Sequence, residues 1–194
     1  MKRLAVAVSG LMMASVAVGA DWGPEIESVK GDLTYVDFTS IKNSIVNGQQ
    51  VVGSWTKTKN KIKNSKDVKK EIAEFKAFSW YNCKEKTKTK ATSVVLYSSN
   101  QSIIESNNYM VDGFYPIVPD SIDEGVFNTT CSLGMWKEYY EIPTDSNGLK
   151  DSYQLKSLAN RYPYQANMLK GKEYEPQYVS EEDAKKLFPN LYNK

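Results

Sequence analysis

The chain contains no histidine. That single absence removes the Ser-His-Asp and Cys-His nucleophile arrangements and every metal site built on imidazole. Cysteine is nearly as scarce. Cys83 and Cys131 are the only two, too few for a cysteine-only zinc site. An excess of one charge is missing as well. The formal charge is +2, but Lys2 and Arg3 lie in the first twenty residues, which hold no acid. Without them the 25 basic residues become 23, equal to the 23 acidic ones. A balanced chain argues against a dedicated nucleic-acid binder, whose affinity rests on neutralising phosphates. Mean hydropathy is −0.52 with 12% aromatic residues, which suits neither a bulk membrane protein nor a chain too polar to fold.

Long apolar runs are confined to one place. Met1 to Arg3 is short and basic, Leu4 to Val18 is apolar apart from Ser9, Gly10 and Ser15, and Val18-Gly19-Ala20 ends on small residues before Asp21. This is the pattern of a cleaved secretory signal peptide, residues 1–20. The run is too short for a hydrocarbon core of ~30 Å, so an uncleaved anchor is the weaker reading. No cysteine follows the cleavage point, so no lipid anchor is expected. The remainder is expected to be soluble in the periplasm or outside the cell, with no membrane span.

In such an oxidising compartment two cysteines imply one disulfide, Cys83 to Cys131. The alternative, a reactive thiol pair, lacks a CxxC spacing and an activating neighbour in sequence. The bridge would close a loop of about 49 residues, for which chain entropy gives about 4 kcal/mol.

The local patterns are those of strands, then helices. Leu33 to Phe38 is β-branched and aromatic. Asn47-Gly48 is a turn signal leading into Gln50 to Trp55. The two runs are expected to form a hairpin with an irregular connection through Ser40 to Asn47. Glu71 to Lys90 reads as one long strand, although Ala73 to Phe78 could begin as a short helix. Val94 to Tyr97 and Ser102 to Glu105 read as strand, turn, strand, and Gly113 and Pro116 break the apolar stretch after them. Ser121 to Glu124 has the spacing of a capping box, Ser121 at the N-cap and Glu124 at N3, with Gly134 as a stop. Cys131 then lies near the end of a helix and Cys83 in a strand. Residues 135–194 hold eight of the thirteen tyrosines and four of the seven prolines. They read as a partly helical extension, with helices at Leu149–Asn160 and Ser180–Phe188, forming either a second packing layer or a semi-ordered tail. The expected organisation is a signal peptide (1–20), an α+β domain (21–134) with an antiparallel sheet and a helix tethered to it by the disulfide, and a C-terminal extension (135–194).

Two lysine-rich stretches stand out. Lysines occupy 57, 59, 61, 63, 66, 69 and 70 against one acid, Asp67. They read either as a patch for an anionic surface or as a solvated edge that discourages strand pairing. Lys84, Lys86, Lys88 and Lys90 recur every second residue. On a strand they would share one face, ~6.6–6.8 Å apart, within the Debye length of ~8 Å at physiological salt. Such a row repels itself unless neighbouring carboxylates such as Glu71, Glu74 and Glu105, or an anionic partner, neutralise it. It is the candidate binding face. Catalytic groups are harder to find: Asp120, Asp123 and Glu124 are explained by capping and the helix dipole. The chain is expected not to be an enzyme and to need no metal or other cofactor.

Four collinear motifs carry a family resemblance. They are Tyr35-Val36-Asp37 with Ser40-Ile41, Gly48 through Trp55, Trp80-Tyr81-Asn82-Cys83, and Val118-Pro119-Asp120-Ser121-Ile122 leading to Cys131. In these the chain resembles the surface-adhesin protein E-like family of bacterial envelope proteins. The resemblance implies an antiparallel sheet with a helix tied to it by the cysteine pair. It also implies a binding module whose partners are host matrix proteins. An anionic glycan or an envelope component would serve as partner equally well on the lysine inventory. The competing reading is a soluble periplasmic component of envelope assembly with no adhesive role.

Overall fold

The computed structural model describes residues 20–23, 25–28, 31–59, 72–144, 146 and 150–166. The expected signal peptide falls outside them except for Ala20. The lysines at 61 to 70 and the helix expected at Ser180–Phe188 also lie outside the described residues.

The fold is α+β, a nine-stranded antiparallel sheet with helices on one side. Two eleven-residue strands, β4 (Gln49–Lys59) and β5 (Ile72–Asn82), pair along most of their length and form its spine. Each outer edge of this pair is shared by two shorter strands. β3 (Lys42–Val46) pairs with the first half of β4 and β2 (Leu33–Val36) with the second half. β1 (Ile26–Glu27) lies beyond β2. On the other edge β6 (Thr87–Lys88) meets the end of β5, and β7 (Ser93–Ser98) meets its beginning. β8 (Ile103–Asn108) continues the sheet from β7, and β9 (Tyr115–Pro116) continues it from β6.

Two strand expectations are corrected here. The hairpin at Asn47-Gly48 joins β4 not to Leu33–Phe38 but to β3, formed by the stretch expected to be an irregular connection. Asn47 and Gly48 have φ of 50° and 75°, the left-handed pair that a two-residue hairpin needs. β2 still pairs with β4, at its far half. The long strand Glu71–Lys90 is also divided. β5 ends at Asn82, whose side-chain oxygen accepts hydrogen bonds from the backbone N–H groups of Lys84 and Glu85, both at 3.1 Å. The chain turns through Cys83–Lys86 and resumes as β6. An asparagine that bonds the backbone two residues on competes with ladder pairing.

Helix α1 (Ile122–Glu141) crosses the inner face of the sheet. Ser121 caps it, its hydroxyl accepting from the Glu124 N–H at 3.2 Å. The Glu124 carboxylate reaches back to the Asp120 N–H at 2.7 Å, one residue before the cap. Two orphan donors of the first turn region are thereby satisfied. Phe127, Thr130, Cys131 and Met135 are completely buried under the helix. Burial of a residue the size of Phe127 contributes about 1.5–3 kcal/mol. The Thr130 and Ser54 hydroxyls bond across the interface at 2.9 Å, so the polar pair in this layer is matched. Cys131 is bonded to Cys83 at the end of the spine, with Cα atoms 5.7 Å apart.

Gly134 does not stop the helix. It lies against Val52 of β4, and α1 runs on to Glu141, before Ile142-Pro143. The residue before a proline is driven to extended backbone, and Ile142 has ψ of 121°. The expected domain boundary at 134 therefore falls inside α1. Helices α2 (Ser152–Arg161), capped by Asp151, and α3 (Pro163–Ala166) follow. Leu158, Tyr162 and Ala166 are buried, the first two of them joining the α1 core. Glu138 of α1 accepts from Asn43 at 2.9 Å, from the Tyr162 hydroxyl at 2.7 Å and from Arg161, joining β3, α1 and the C-terminal end of α2. As far as Ala166, these residues pack against α1.

Candidate functional site

Alternation along a strand sends odd and even residues to opposite sides. On β4, Val52, Ser54, Thr56 and Thr58 point inward, and Gly53, Trp55, Lys57 and Lys59 point outward. The register places Gly53 opposite Trp80, Trp55 opposite Phe78, Lys57 opposite Lys76 and Lys59 opposite Glu74. Lys42 lies opposite Gly53 on the β3 side, Tyr35 opposite Lys57 on the β2 side and Tyr97 opposite Glu74 on the β7 side. Trp22 reaches the same face through its bridge to Asp37. No described helix covers this side.

The outer face is thus an array of rings and ammonium groups. Phe78 stands edge-on to both Trp55 and Trp80, with centroids 5.6 Å and 5.0 Å away. Gly53 makes room for them: a Cβ there would lie 2.4 Å from Phe78 Cζ and 2.7 Å from Trp80 Cζ3. Lys42 Nζ sits over Phe78 and Trp80 at 4.7 Å and 5.0 Å. Lys57 lies over Trp22 and Tyr35 at 4.3 Å and 5.1 Å, Lys59 over Tyr35 at 5.9 Å, and Lys76 over Tyr97 and Trp22 at 4.7 Å and 5.6 Å. Each such contact is worth about 0.5–1 kcal/mol at an exposed site. Glu74 is the acid within the array, 3.9 Å from Lys76. Partial burial holds the Lys57 ammonium below its ordinary pKa. Glu74 opposes that shift, and the like charges of Lys59 and Lys76 add to it.

The four lysines expected to share a strand face do not do so. The turn at 83–86 separates them, and each meets an acid. Lys84 lies 3.9 Å from its neighbour Glu85. Lys86 pairs with Glu124, Lys88 with Asp123 at 2.5 Å, and Lys90 with Asp112 at 2.8 Å. Lys86 and Lys88 thus tie the Cys83 turn to the first turn of α1, beside the disulfide. These acids are neither Glu74 nor Glu105 but ones brought in by the fold, and Glu71 lies outside the described residues. Glu124 is held below the usual carboxylate range, first by the Lys86 hydrogen bond and then by the Asp120 N–H.

Of the outer array, the sequence points to Lys57 and Lys59 as part of a lysine-rich patch but not to the rings they join, although half the signal is present. Trp55, Lys57 and Lys59 alternate, as do Trp80, Phe78 and Lys76. What was lacking was the register that interleaves the two rows.

The inner side carries a cleft of about 770 Å³ where α1 leaves the sheet uncovered. Thr34, Thr56, Thr58 and Phe75 line its sheet wall and Ile122 and Asp123 its helix side. Thr34 and Thr58 bond one another at 2.8 Å and Thr56 donates to the Ala77 carbonyl at 3.2 Å. Tyr81 beside it is pushed above its ordinary pKa by burial and by the charge of Asp123. Among the described residues no helix is long and apolar enough to cross a membrane, and no three acids or cysteines cluster as metal ligands would.

Compared with known families, residues 24–132 match the model described as surface-adhesin protein E. The match spans the sheet and α1 as far as the residue after Cys131. No curated protein and no solved structure matches the chain.

Proposed function

The chain belongs to the surface-adhesin protein E family, and from that membership we propose that it is an exported, non-enzymatic module that holds a macromolecular partner against the outer face of its sheet. One observation carries the reading. The helix-free side of the sheet presents Trp22, Tyr35, Trp55, Trp80 and Tyr97 interleaved with Lys42, Lys57, Lys59 and Lys76, with Glu74 among them. Aromatic residues carry much contact area for little conformational entropy, and they anchor protein interfaces. The lysines choose the sign of the partner and speed its encounter more than they add affinity. The partner is therefore acidic on the surface it presents: an acidic segment of a host matrix protein, an anionic glycan, or an envelope component. Lys84, Lys86, Lys88 and Lys90, each already matched by a carboxylate, are not part of this face. Residues 1–20 act as the cleaved export signal.

The test has two arms. Fractionation of cells producing the full-length chain should recover it, starting at Asp21, at the cell surface or in the medium. The purified protein should bind members of a panel of matrix proteins, with an affinity that falls with salt and is abolished by the charge reversals Lys42→Glu and Lys59→Glu together. Confinement to the periplasm, with no salt-sensitive binding to any panel member, would instead make it an envelope-assembly component.

A further inference from the structure

We propose that Lys57, Lys59 and Lys76 form an anion subsite that receives the sulfate groups of a sulfated glycan strand, with Trp22, Tyr35 and Tyr97 as its walls. The inference rests on the outer-face reading above and names the partner's chemistry.

The geometry is a convergence of three like charges that the protein neutralises only in part, through Glu74, which lies opposite Lys59 and beside Lys76. Lys57 and Lys76 are direct partners across β4 and β5, a placement in which like charges destabilise a sheet. Both ammonium groups approach Trp22, at 4.3 Å and 5.6 Å. Lys57 and Lys59 both approach Tyr35, at 5.1 Å and 5.9 Å. The facing acids are few. Glu74 lies 3.9 Å from Lys76. Glu25 takes the hydrogen bond of the Tyr35 hydroxyl at 3.0 Å. Asp37 accepts from the backbone and hydroxyl of Thr39 and exerts the weakest of the attractions on Lys57. Among the described residues neither Lys57 nor Lys59 forms an ion pair. Burial first, and then the like charges of Lys59 and Lys76, hold the Lys57 pKa below its ordinary value against the pull of Glu74 and Asp37, and a bound anion would raise it.

Sulfate fits this arrangement better than a carboxylate does. It stays ionised at any physiological pH, and its free oxygens let one group accept from two lysines at once. Lysine meets it as a mobile point charge, so no planar two-point geometry is demanded. The walls favour a glycan over an acidic peptide. Pyranose rings offer flat C–H faces that pack on Trp22, Tyr35 and Tyr97, and their charges repeat along an extended strand. Same-side lysines repeat every ~6.6–6.8 Å along β4, which gives such a strand more than one foothold.

The test titrates the full chain with a heparin-derived hexasaccharide, its chemically desulfated counterpart, and a polyglutamate of equal charge, followed by calorimetry and by NMR of the lysine side chains. The expected results are saturable binding of the hexasaccharide, binding at least about tenfold weaker for the other two, and weakening with salt. The Lys57 titration midpoint should rise when the hexasaccharide is added. Lys57→Gln with Lys76→Gln should cost at least about tenfold in affinity, whereas Lys84→Gln with Lys90→Gln should cost little, because the latter pair lies off this face. Unchanged urea midpoints keep both variants comparable. Polyglutamate binding as tightly as the hexasaccharide would overturn the glycan assignment in favour of an acidic protein. Hexasaccharide binding indifferent to the Lys57 and Lys76 changes would overturn the site. Matrix-protein binding that survives while the hexasaccharide fails to bind would sink this inference alone. Failure of both would remove the outer-face reading with it.

Discussion

Gly134 of α1 rests directly on Val52 of β4: a Cβ on the glycine would lie 2.7 Å from Val52 Cγ2 and 2.9 Å from Cγ1. Within a helix, glycine costs about 1 kcal/mol relative to alanine. Here that cost permits close approach of helix and sheet, and through it the position of Cys131 beside Cys83. Gly134→Ala should therefore destabilise the fold by about 1–2 kcal/mol, overpacking outweighing the gain in helix propensity. Urea unfolding measures it. The added change Val52→Ala should recover part of the loss, so the double variant should be more stable than additivity predicts. A stabilised single variant would mean that the interface relaxes freely.

The α1 cap is worth a measurable amount. Ser121→Ala removes the acceptor of the Glu124 N–H and should cost about 1 kcal/mol. An unchanged urea midpoint would refute the assignment of Ser121 as N-cap.

Glu124 links that cap to the Cys83 turn through Lys86, and this gives a pH signature. Its carboxyl is held below the ordinary value of 4.5 in the folded protein, chiefly by Lys86. A carboxyl with a lower pKa when folded stabilises the fold at pH above its unfolded pKa. That contribution is lost as pH falls through the folded value. Stability should thus decline on acidification below about pH 4.5. Carbon-13 NMR of the Glu124 carboxyl should place its midpoint below the usual range, and Lys86→Gln should move the midpoint upward. No movement would show that Lys86 is not the cause.

Cys83 and Cys131 are 48 residues apart. Replacing both by serine should lower stability by about 4 kcal/mol through the freed unfolded chain. Urea unfolding of the oxidised protein against the serine pair checks the size. A mass two hydrogens below that of the reduced chain, with no free thiol, checks the bond.

Glu138 gathers Asn43, Arg161 and Tyr162. Glu138→Ala leaves the buried Tyr162 hydroxyl without its acceptor and takes one acceptor from Arg161 and Asn43, and should cost about 1–3 kcal/mol. Hydrogen exchange should accelerate in α2 while the β4–β5 spine stays protected. Uniform acceleration would show that α2 and the spine open as one unit.

Local chemistry made several features legible in the sequence alone. Asn47-Gly48 specifies a hairpin turn because few other pairs tolerate two left-handed residues. Ser121 with Glu124 marks a helix start because those side chains satisfy backbone donors one turn away. The two cysteines, the only ones in the sequence, had one possible partner each. Strand alternation already sorted Trp55, Lys57 and Lys59 to one side. Tertiary structure decided the rest, because contacts between residues distant in sequence depend on register and packing. Gly134 reads as a helix stop until Val52 lies against it, and then as the residue that lets the helix pass. Lys84 to Lys90 read as one charged face until Asn82 turns the chain and Glu124, Asp123 and Asp112 arrive from elsewhere. Lys57 and Lys76 became neighbours only when β4 and β5 paired. A single-residue slip in that register would send one strand's whole row to the other side of the sheet, so no sequence pattern within either strand could have announced the face they share.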